Sequence, residues 1–219
     1  AACLWPEGPY PILLVTGEKG SAKSTLCRFS RKTIDPNRAP LRLLPKTEQD
    51  LMITAERSRV PCFENISSIS EAISNALCVV ATGGGLGTRE LFTTGDERIF
   101  DVQRPVMLNG IGQIARRSDL LDRCLVLRMP PIPKDKRRDE QTLLAEFDAV
   151  RPRLLGALFR AISGAMACID DVHLTWSPRL ADFARFAVAL EPAVGWPRGT
   201  VERVLEANDR ALVDAALDA

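Results

Sequence analysis

The stretch Pro11-Ile12-Leu13-Leu14-Val15-Thr16-Gly17-Glu18-Lys19-Gly20-Ser21-Ala22-Lys23-Ser24-Thr25 decides how the rest of the chain reads. Its first half is an apolar run, Pro11 to Val15, that stops at Gly17. A strand without polar alternation is buried on both faces, as in a parallel sheet. The second half, Gly17 to Thr25, departs at a single position from the pattern GxxxxGK[ST] and leads into a helical run from Thr25 to Arg31. Such a loop wraps successive backbone N–H groups around a phosphate and aims a helix N-terminus at it. Its lysine reaches the outer oxygens and its hydroxyl serves Mg²⁺. Gly17, Gly20, Lys23 and Ser24 supply these parts, and Glu18, Lys19, Ser21, Ala22 and Thr25 complete the candidate nucleotide-binding loop. Ala22 stands where the usual glycine would, which requires helical dihedrals there and a methyl that clears the nucleotide.

Working outward, similar apolar runs recur at Leu41 to Leu44, Val60 to Phe63, Pro105 to Leu108 and Leu125 to Met129, separated by helical patterns. The alternation predicts an α/β fold with five strands in one parallel sheet flanked by helices. Pro61 and Pro105 suit strand starts or edges. The capping pair Ser68 and Glu71 opens a helix whose Ile69, Ile73, Leu77 and Val80 share one buried face, and Gly83-Gly84-Gly85 ends it. Arg89-Glu90-Leu91-Phe92 and Arg98-Ile99-Phe100-Asp101, around Thr94-Gly95-Asp96, predict a β-hairpin inserted before the fourth strand. Pro130-Pro131-Ile132-Pro133 then divides an α/β core, residues 1–133, from a small all-helical lobe, residues 134–219. The lobe reads as helices from Glu140 to Phe147, Pro152 to Ile169, Pro178 to Leu190 with Ser177 as cap, and Thr200 onward.

With 219 residues, 46% hydrophobic and 26% charged, the chain is no disordered polymer. Lys+Arg at 29 against Asp+Glu at 28 gives no global attraction to nucleic acid or membrane, so any DNA contact must be local. No run approaches the roughly 20 uninterrupted apolar residues of a membrane helix, and the N-terminus lacks a secretory pattern. A cytoplasmic protein without a membrane partner is expected. The six cysteines are scattered without a CxxC pair, which predicts buried free thiols. Trp5, Trp176 and Trp196 read as packing anchors. A chain that begins at Ala1, with a strand already at Pro11, reads as a domain cut from a longer protein.

Glu64-Asn65 follows the third apolar run, where a strand end presents an acid to the Mg²⁺ shell, so Ser24 and Glu64 are the candidate metal ligands. A second carboxylate would serve there as base. Asn65 accepts no proton, so hydrolysis is slow or another group orients water, unless the pair is a solvated loop. Asn109 closes Val106-Met107-Leu108-Asn109-Gly110 and lies beside the terminal phosphate if that strand neighbours the first; otherwise it is a turn asparagine. Arg116, Arg117 and Arg123 surround the helix from Ser118 to Asp122. An arginine there either reaches a neighbouring subunit's site to stabilise transition-state charge or is a solvated helix end. Arg179 in the second lobe is placed to close over the phosphates of its own chain. The basic run Lys134, Lys136, Arg137 and Arg138 is either a phosphate-facing patch or a solvated linker.

Together these residues resemble the AAA+ ATPases and, more narrowly, the superfamily 3 type helicase domains of phage and plasmid primase-helicases, over nearly the whole chain. The narrower likeness rests on Ala81-Thr82-Gly83-Gly84-Gly85, Thr88-Arg89-Glu90-Leu91-Phe92, Pro105 to Gly110 and Leu120-Leu121-Asp122-Arg123. The resemblance implies a P-loop NTPase core with a hairpin before the sensor strand, and ATP and Mg²⁺ as ligands. It gives Asn109 the sensor 1 role, Arg123 the arginine finger with Arg117 as substitute, and Arg179 the sensor 2 role. It implies a homo-oligomer, a hexameric ring whose hairpins touch DNA. ATP hydrolysis would drive translocation on, or unwinding of, single-stranded or forked DNA in replication of a phage or mobile element, alongside a primase or other replication domain. The hairpin tip, Thr93 to Glu97, carries Asp96 and Glu97 rather than lysines, which repel phosphates, and Arg89 and Arg98 offset this in part. Two other readings stay open: a monomeric P-loop kinase, active only with an acceptor, and a nucleotide-binding assembly module with little hydrolysis, motivated by Asn65.

Overall fold

The computed structural model describes residues 2–5, 8–89, 97–112, 114–115 and 117–217. The run after Pro11 forms β1 (Ile12–Thr16), which lies inside a parallel sheet between β5 (Met107–Gly110) and β6 (Cys124–Arg128). Beyond β5 runs β2 (Cys62–Ile66), giving a four-stranded sheet of order β2-β5-β1-β6. All run the same way, so Thr16, Ile66, Gly110 and Arg128 share one end of the sheet. The fifth expected strand, residues 41–44, is reduced to one bridge. Arg42 N donates to Cys62 O at 3.1 Å and accepts at its carbonyl from Glu64 N at 2.8 Å. Pro40 and Pro45 bracket the segment, and proline gives no donor to a ladder.

Residues alternate across β1. Ile12 and Leu14 join the main core with α3 (Glu71–Thr82), while Val15 packs with Cys27 of α1 (Lys23–Ile34) on the other face. The cap of α3 is Ser70, whose Oγ accepts from Ile73 N at 3.4 Å, and not Ser68, because Glu71 is already the first helical residue. The helical pattern expected between the runs ending at Leu44 and starting at Val60 is α2 (Glu48–Glu56). Thr47 caps it, and Leu51, Met52 and Ala55 bury its inner face. The hairpin is present as β3 (Gly85–Arg89) and β4 (Glu97–Asp101), paired from Gly85↔Asp101 to Arg89↔Glu97. Its first strand therefore starts directly at Gly85, ahead of the expected Arg89-to-Phe92 segment. Residues 90–96, which include Asp96 and most of the expected tip from Thr93 to Glu97, lie outside the described residues, as do the side chains of Arg89, Glu97 and Arg98.

After Pro133 the expected first two helices are one, α5 (Glu140–Cys168), with Pro152 inside it. Proline costs a helix one hydrogen bond and a clash with the preceding turn, but here both halves are held from outside. Arg28 pairs with Glu140, Phe29 stacks on Phe147 at 4.1 Å, and Lys32 pairs with Asp148 at 3.3 Å, while Ala161 and Ala165 are buried further along. By length, and by a mean hydropathy of 1.3 over an 18-residue window within it, the helical stretch of residues 140–171 is long and apolar enough to cross a membrane. The sequence expectation counted uninterrupted apolar residues, and Arg153 and Arg160 break that run. α6 (Ala181–Leu190) starts three residues after the expected Pro178 and without a side-chain cap, so Ser177 does not cap it. Its buried face is Ala184, Phe186, Ala187 and Ala189, and Trp5 packs on Phe186 at 4.6 Å. Trp196, by contrast, is 52% exposed, against the packing role expected for it.

α7 (Thr200–Leu217) is capped from a distance by the buried Glu191 carboxylate, which accepts from Gly199 N at 3.0 Å and Val201 N at 2.7 Å. The helix then returns to the sheet. Asn208 Oδ1 accepts from Val126 N at 2.8 Å, its Nδ2 donates to Cys124 O at 2.9 Å, and Leu212 enters the main core. The segment after Pro133 is thus bonded back onto β6. All six cysteines are free, four of them buried, and burial pushes the Cys124 thiol up to about 12.

Candidate functional site at the carboxyl end of the sheet

The loop leaving β1 turns tightly at two glycines. Gly17 has φ 149°, and a Cβ there would lie 2.4 Å from Met129 O; Gly20 has φ 81°. Ala22, the departure from the usual pattern, has φ 60° and ψ 25°. It is left-handed and not helical, correcting the sequence expectation, and an L-residue in that region carries roughly 1–2 kcal/mol of strain. Ala22→Gly is expected to raise the unfolding free energy by roughly 0.5–1 kcal/mol, after the extra entropy glycine adds to the unfolded chain. Urea denaturation checks this, and a lower midpoint in the variant would show that the methyl packs more than it strains.

Lys23 opens α1 and is 9% exposed. Its Nζ donates to Gly17 O at 2.8 Å, Glu18 O at 2.7 Å and Ser21 Oγ at 3.3 Å. The ammonium is thus satisfied by neutral dipoles, with no carboxylate beside it among the described residues, and the loop keeps a net positive charge. The first turn of α1, with Ser24 and Thr25, presents amides that have no acceptor four residues back. Leu26 N, bonded to Ala22 O at 2.9 Å, is the first to find one.

Two further groups stand level with this loop on adjacent strands. Asn109 pairs in register with Val15, is 2% exposed, and has a buried Nδ2 that lies beside the Cys27 thiol without a hydrogen bond of ordinary geometry. An orphaned buried amide costs about 1–3 kcal/mol, which is recovered when an acceptor arrives. One strand further, Phe63 pairs with Leu108, which sets Glu64 level with Asn109. Asn65 has φ 55°, where the register of β2 shifts. Among the described residues, Ala22 and Asn65 are the two non-glycines with positive φ. Strained backbone of this kind concentrates where a site over-determines the chain. Next to Gly17 and Glu18 a cleft of about 540 Å³ runs over Leu14, Ile114, Leu121 and Val126 to Arg128; Lys23, Ser24, Glu64 and Asn109 do not line it. Arg128 went unnoticed in the sequence. The register Thr16↔Arg128 is what puts it at the cleft's rim.

The remaining arginines gather elsewhere. Arg117 bonds Asp119 through Nε at 3.0 Å and Nη2 at 2.9 Å, and Glu71 through Nη1 at 2.7 Å; the Arg117 contact holds the Asp119 carboxyl below its ordinary range. Arg123 donates to Asp119 O and has a buried, unpartnered Nε. Arg179 lies 3.9 Å from Asp122. All three surround α4 (Ser118–Leu121), just before β6, where Cys124 pairs with Ile12. That is the strand end opposite the phosphate loop. Arg179 therefore stands beside Arg123 and not over the loop of its own chain, because α6 approaches the amino end of β6. Arg116 lies outside the described residues.

No curated protein matches the chain. A family model does match residues 1–215, so loop, sheet and helical segment are all included, and the chain belongs to the actinomycete integrative conjugative element replication proteins.

Proposed function

We propose that this replication protein is a Mg-ATP-dependent ATPase with a P-loop NTPase fold of the AAA+, superfamily 3 helicase kind. It would act as a homo-oligomeric, hexameric ring that translocates on or unwinds DNA during replication of its element. The observation that carries the proposal is the convergence, at one end of three adjacent strands, of the Lys23 loop, the orphaned Asn109 amide and Glu64. The loop amides and Lys23 would hold the phosphates, and Asn109 would donate to a phosphate oxygen or to the attacking water. Ser24 and Glu64 would hold Mg²⁺, which neutralises phosphate charge when bound. With Asn65 in place of a base, water is oriented by hydrogen bonding, and slow turnover is expected.

Phosphate release from Mg-ATP, across a protein concentration series with and without single-stranded DNA, tests this. Turnover should rise with protein concentration and with DNA. In Lys23→Ala, loss of charge-assisted bonds worth about 1.5–3 kcal/mol should weaken nucleotide binding by about 10–100-fold and stop turnover. Concentration-independent turnover that requires an acceptor would indicate the kinase. Tight ATP binding without phosphate release would indicate an assembly module, the reading that Asn65 favours.

A further inference from the structure

The chain leaves β6 at Met129 and crosses the phosphate loop as a strap before it enters α5. Met129 N donates to Thr16 O at 2.8 Å and Ile132 N to Gly20 O at 3.0 Å. Pro130, Pro131 and Pro133 stiffen this strap. A single 3₁₀ turn, Lys134–Lys136, folds Arg137 back so that its Nε donates to Ile132 O at 3.2 Å. The guanidinium then rests on the loop: a Cβ on Gly20 would lie 2.6 Å from Nη2 and 3.2 Å from Cζ.

Two neighbouring arginines are occupied, whereas Lys19, Lys134 and Lys136 do not rest on Gly20 as Arg137 does. Arg138 pairs with Glu146 and Arg28 with Glu140. Arg137 has neither a carboxylate partner nor a second acceptor among the described residues, and Lys23 beside it is held by neutral groups. Two cations on one loop, next to the unpaired first-turn amides of α1, suit an anion of more than one charge. We propose that Arg137 is a phosphate ligand of the nucleotide site, contributed by the strap. The proposal rests on the phosphate-loop reading above. With Nε fixed on Ile132 O and Ile132 N on Gly20 O, phosphate bound by Arg137 closes a circuit of loop, strap and ligand. The root of α5 lies just beyond, so the charge of the bound phosphates bears on the helical segment. The ligand class is a nucleoside di- or triphosphate, in preference to a monophosphate.

The test uses the full chain: affinities for ATP, ADP and AMP by calorimetry, with ligand-free thermal melts, for wild type, Arg137→Ala, Arg137→Lys, Arg138→Ala and Lys23→Ala. Arg137→Ala should lose about 10–100-fold for ATP and ADP and less than about threefold for AMP. Arg137→Lys, which keeps the charge without the forked geometry, should recover part of the loss, and Arg138→Ala should bind as wild type. A brace without ligand contact would lower only the melting temperature. ATP and ADP affinities unchanged in Arg137→Ala but lost in Lys23→Ala would overturn this assignment alone. A wild type that binds no nucleotide would overturn it together with the phosphate-loop reading.

Discussion

Replacing Arg123 by alanine is expected to lower ATP turnover by about 10³–10⁵-fold while nucleotide affinity stays within about threefold, because a transition-state arginine acts on the reaction and not on the ground state. The geometry dictates where that effect originates. Arg123 precedes β6 at the amino end of the sheet, whereas the phosphate loop leaves the carboxyl end of β1. A five-residue strand separates the two by roughly 16 Å. If Arg123 serves such a site, as the proposed ring requires, that site would belong to a second copy of the chain. Arg117 is the weaker candidate because Asp119 and Glu71 already hold it, while Arg123 bonds one carbonyl and keeps an unpartnered Nε. Mixing Arg123→Ala with Lys23→Ala should restore part of the activity, since mixed neighbours rebuild one intact site. Wild-type turnover in Arg123→Ala, or no recovery on mixing, would remove Arg123 from the reaction.

A second large effect concerns stability. Arg31 is 1% exposed, and its Nη1 bonds Asp35 at 2.6 Å, Ser58 Oγ at 2.9 Å and the Val60 carbonyl. Asp35 in turn accepts from Val60 N at 2.8 Å, so the end of α1 is tied to the residues entering β2. Asp35→Ala should cost about 3–5 kcal/mol, because it leaves the guanidinium buried without its counter-charge. Asp35→Asn, which keeps an acceptor for Val60 N, should cost less. Burial pushes the Asp35 carboxyl up, but the bonds from Val60 N, Arg31 and Ser58 outweigh it and hold the pKa below its ordinary 3.8. The folded state therefore gives up this proton more readily than the unfolded chain. Its contribution is complete above the ordinary carboxylate range and vanishes as pH falls through the lower folded value. Urea titrations of wild type and Asp35→Ala should differ most near neutrality and converge in acid. A constant difference would mean that the carboxylate charge is not what matters.

Much of the site was legible because local pattern and fold demanded the same thing. The apolar run before Gly17 required a buried strand, and Lys23 required a loop and a helix start. The runs ending near Glu64 and Asn109 did become the strands beside it. What escaped depends on contacts distant in sequence. Pro152 reads as a helix break until the α1 contacts that hold the first half of α5 are known. Residues 41–44 look as strand-like as β5, yet flanking prolines leave them one bridge. The partner of Arg179 was set by where α6 docks, which no spacing in the chain reports. Arg137 was visible only as part of a charge run, since its place against Gly20 follows from the turn at Lys134–Lys136.

The amide of Asn208 has a consequence for how copies of this chain can meet. An outermost strand ordinarily offers its backbone to any extended segment that passes, and so invites uncontrolled stacking. On β6 that invitation is withdrawn: one side chain, giving and accepting at Val126 and Cys124, takes the place of a missing strand. Arg42 occupies the opposite margin beside β2. With both margins of this sheet partly taken, copies in the proposed ring would join through side-chain surfaces and not by running one ladder into the next, so that a subunit could leave or rotate without tearing a continuous sheet.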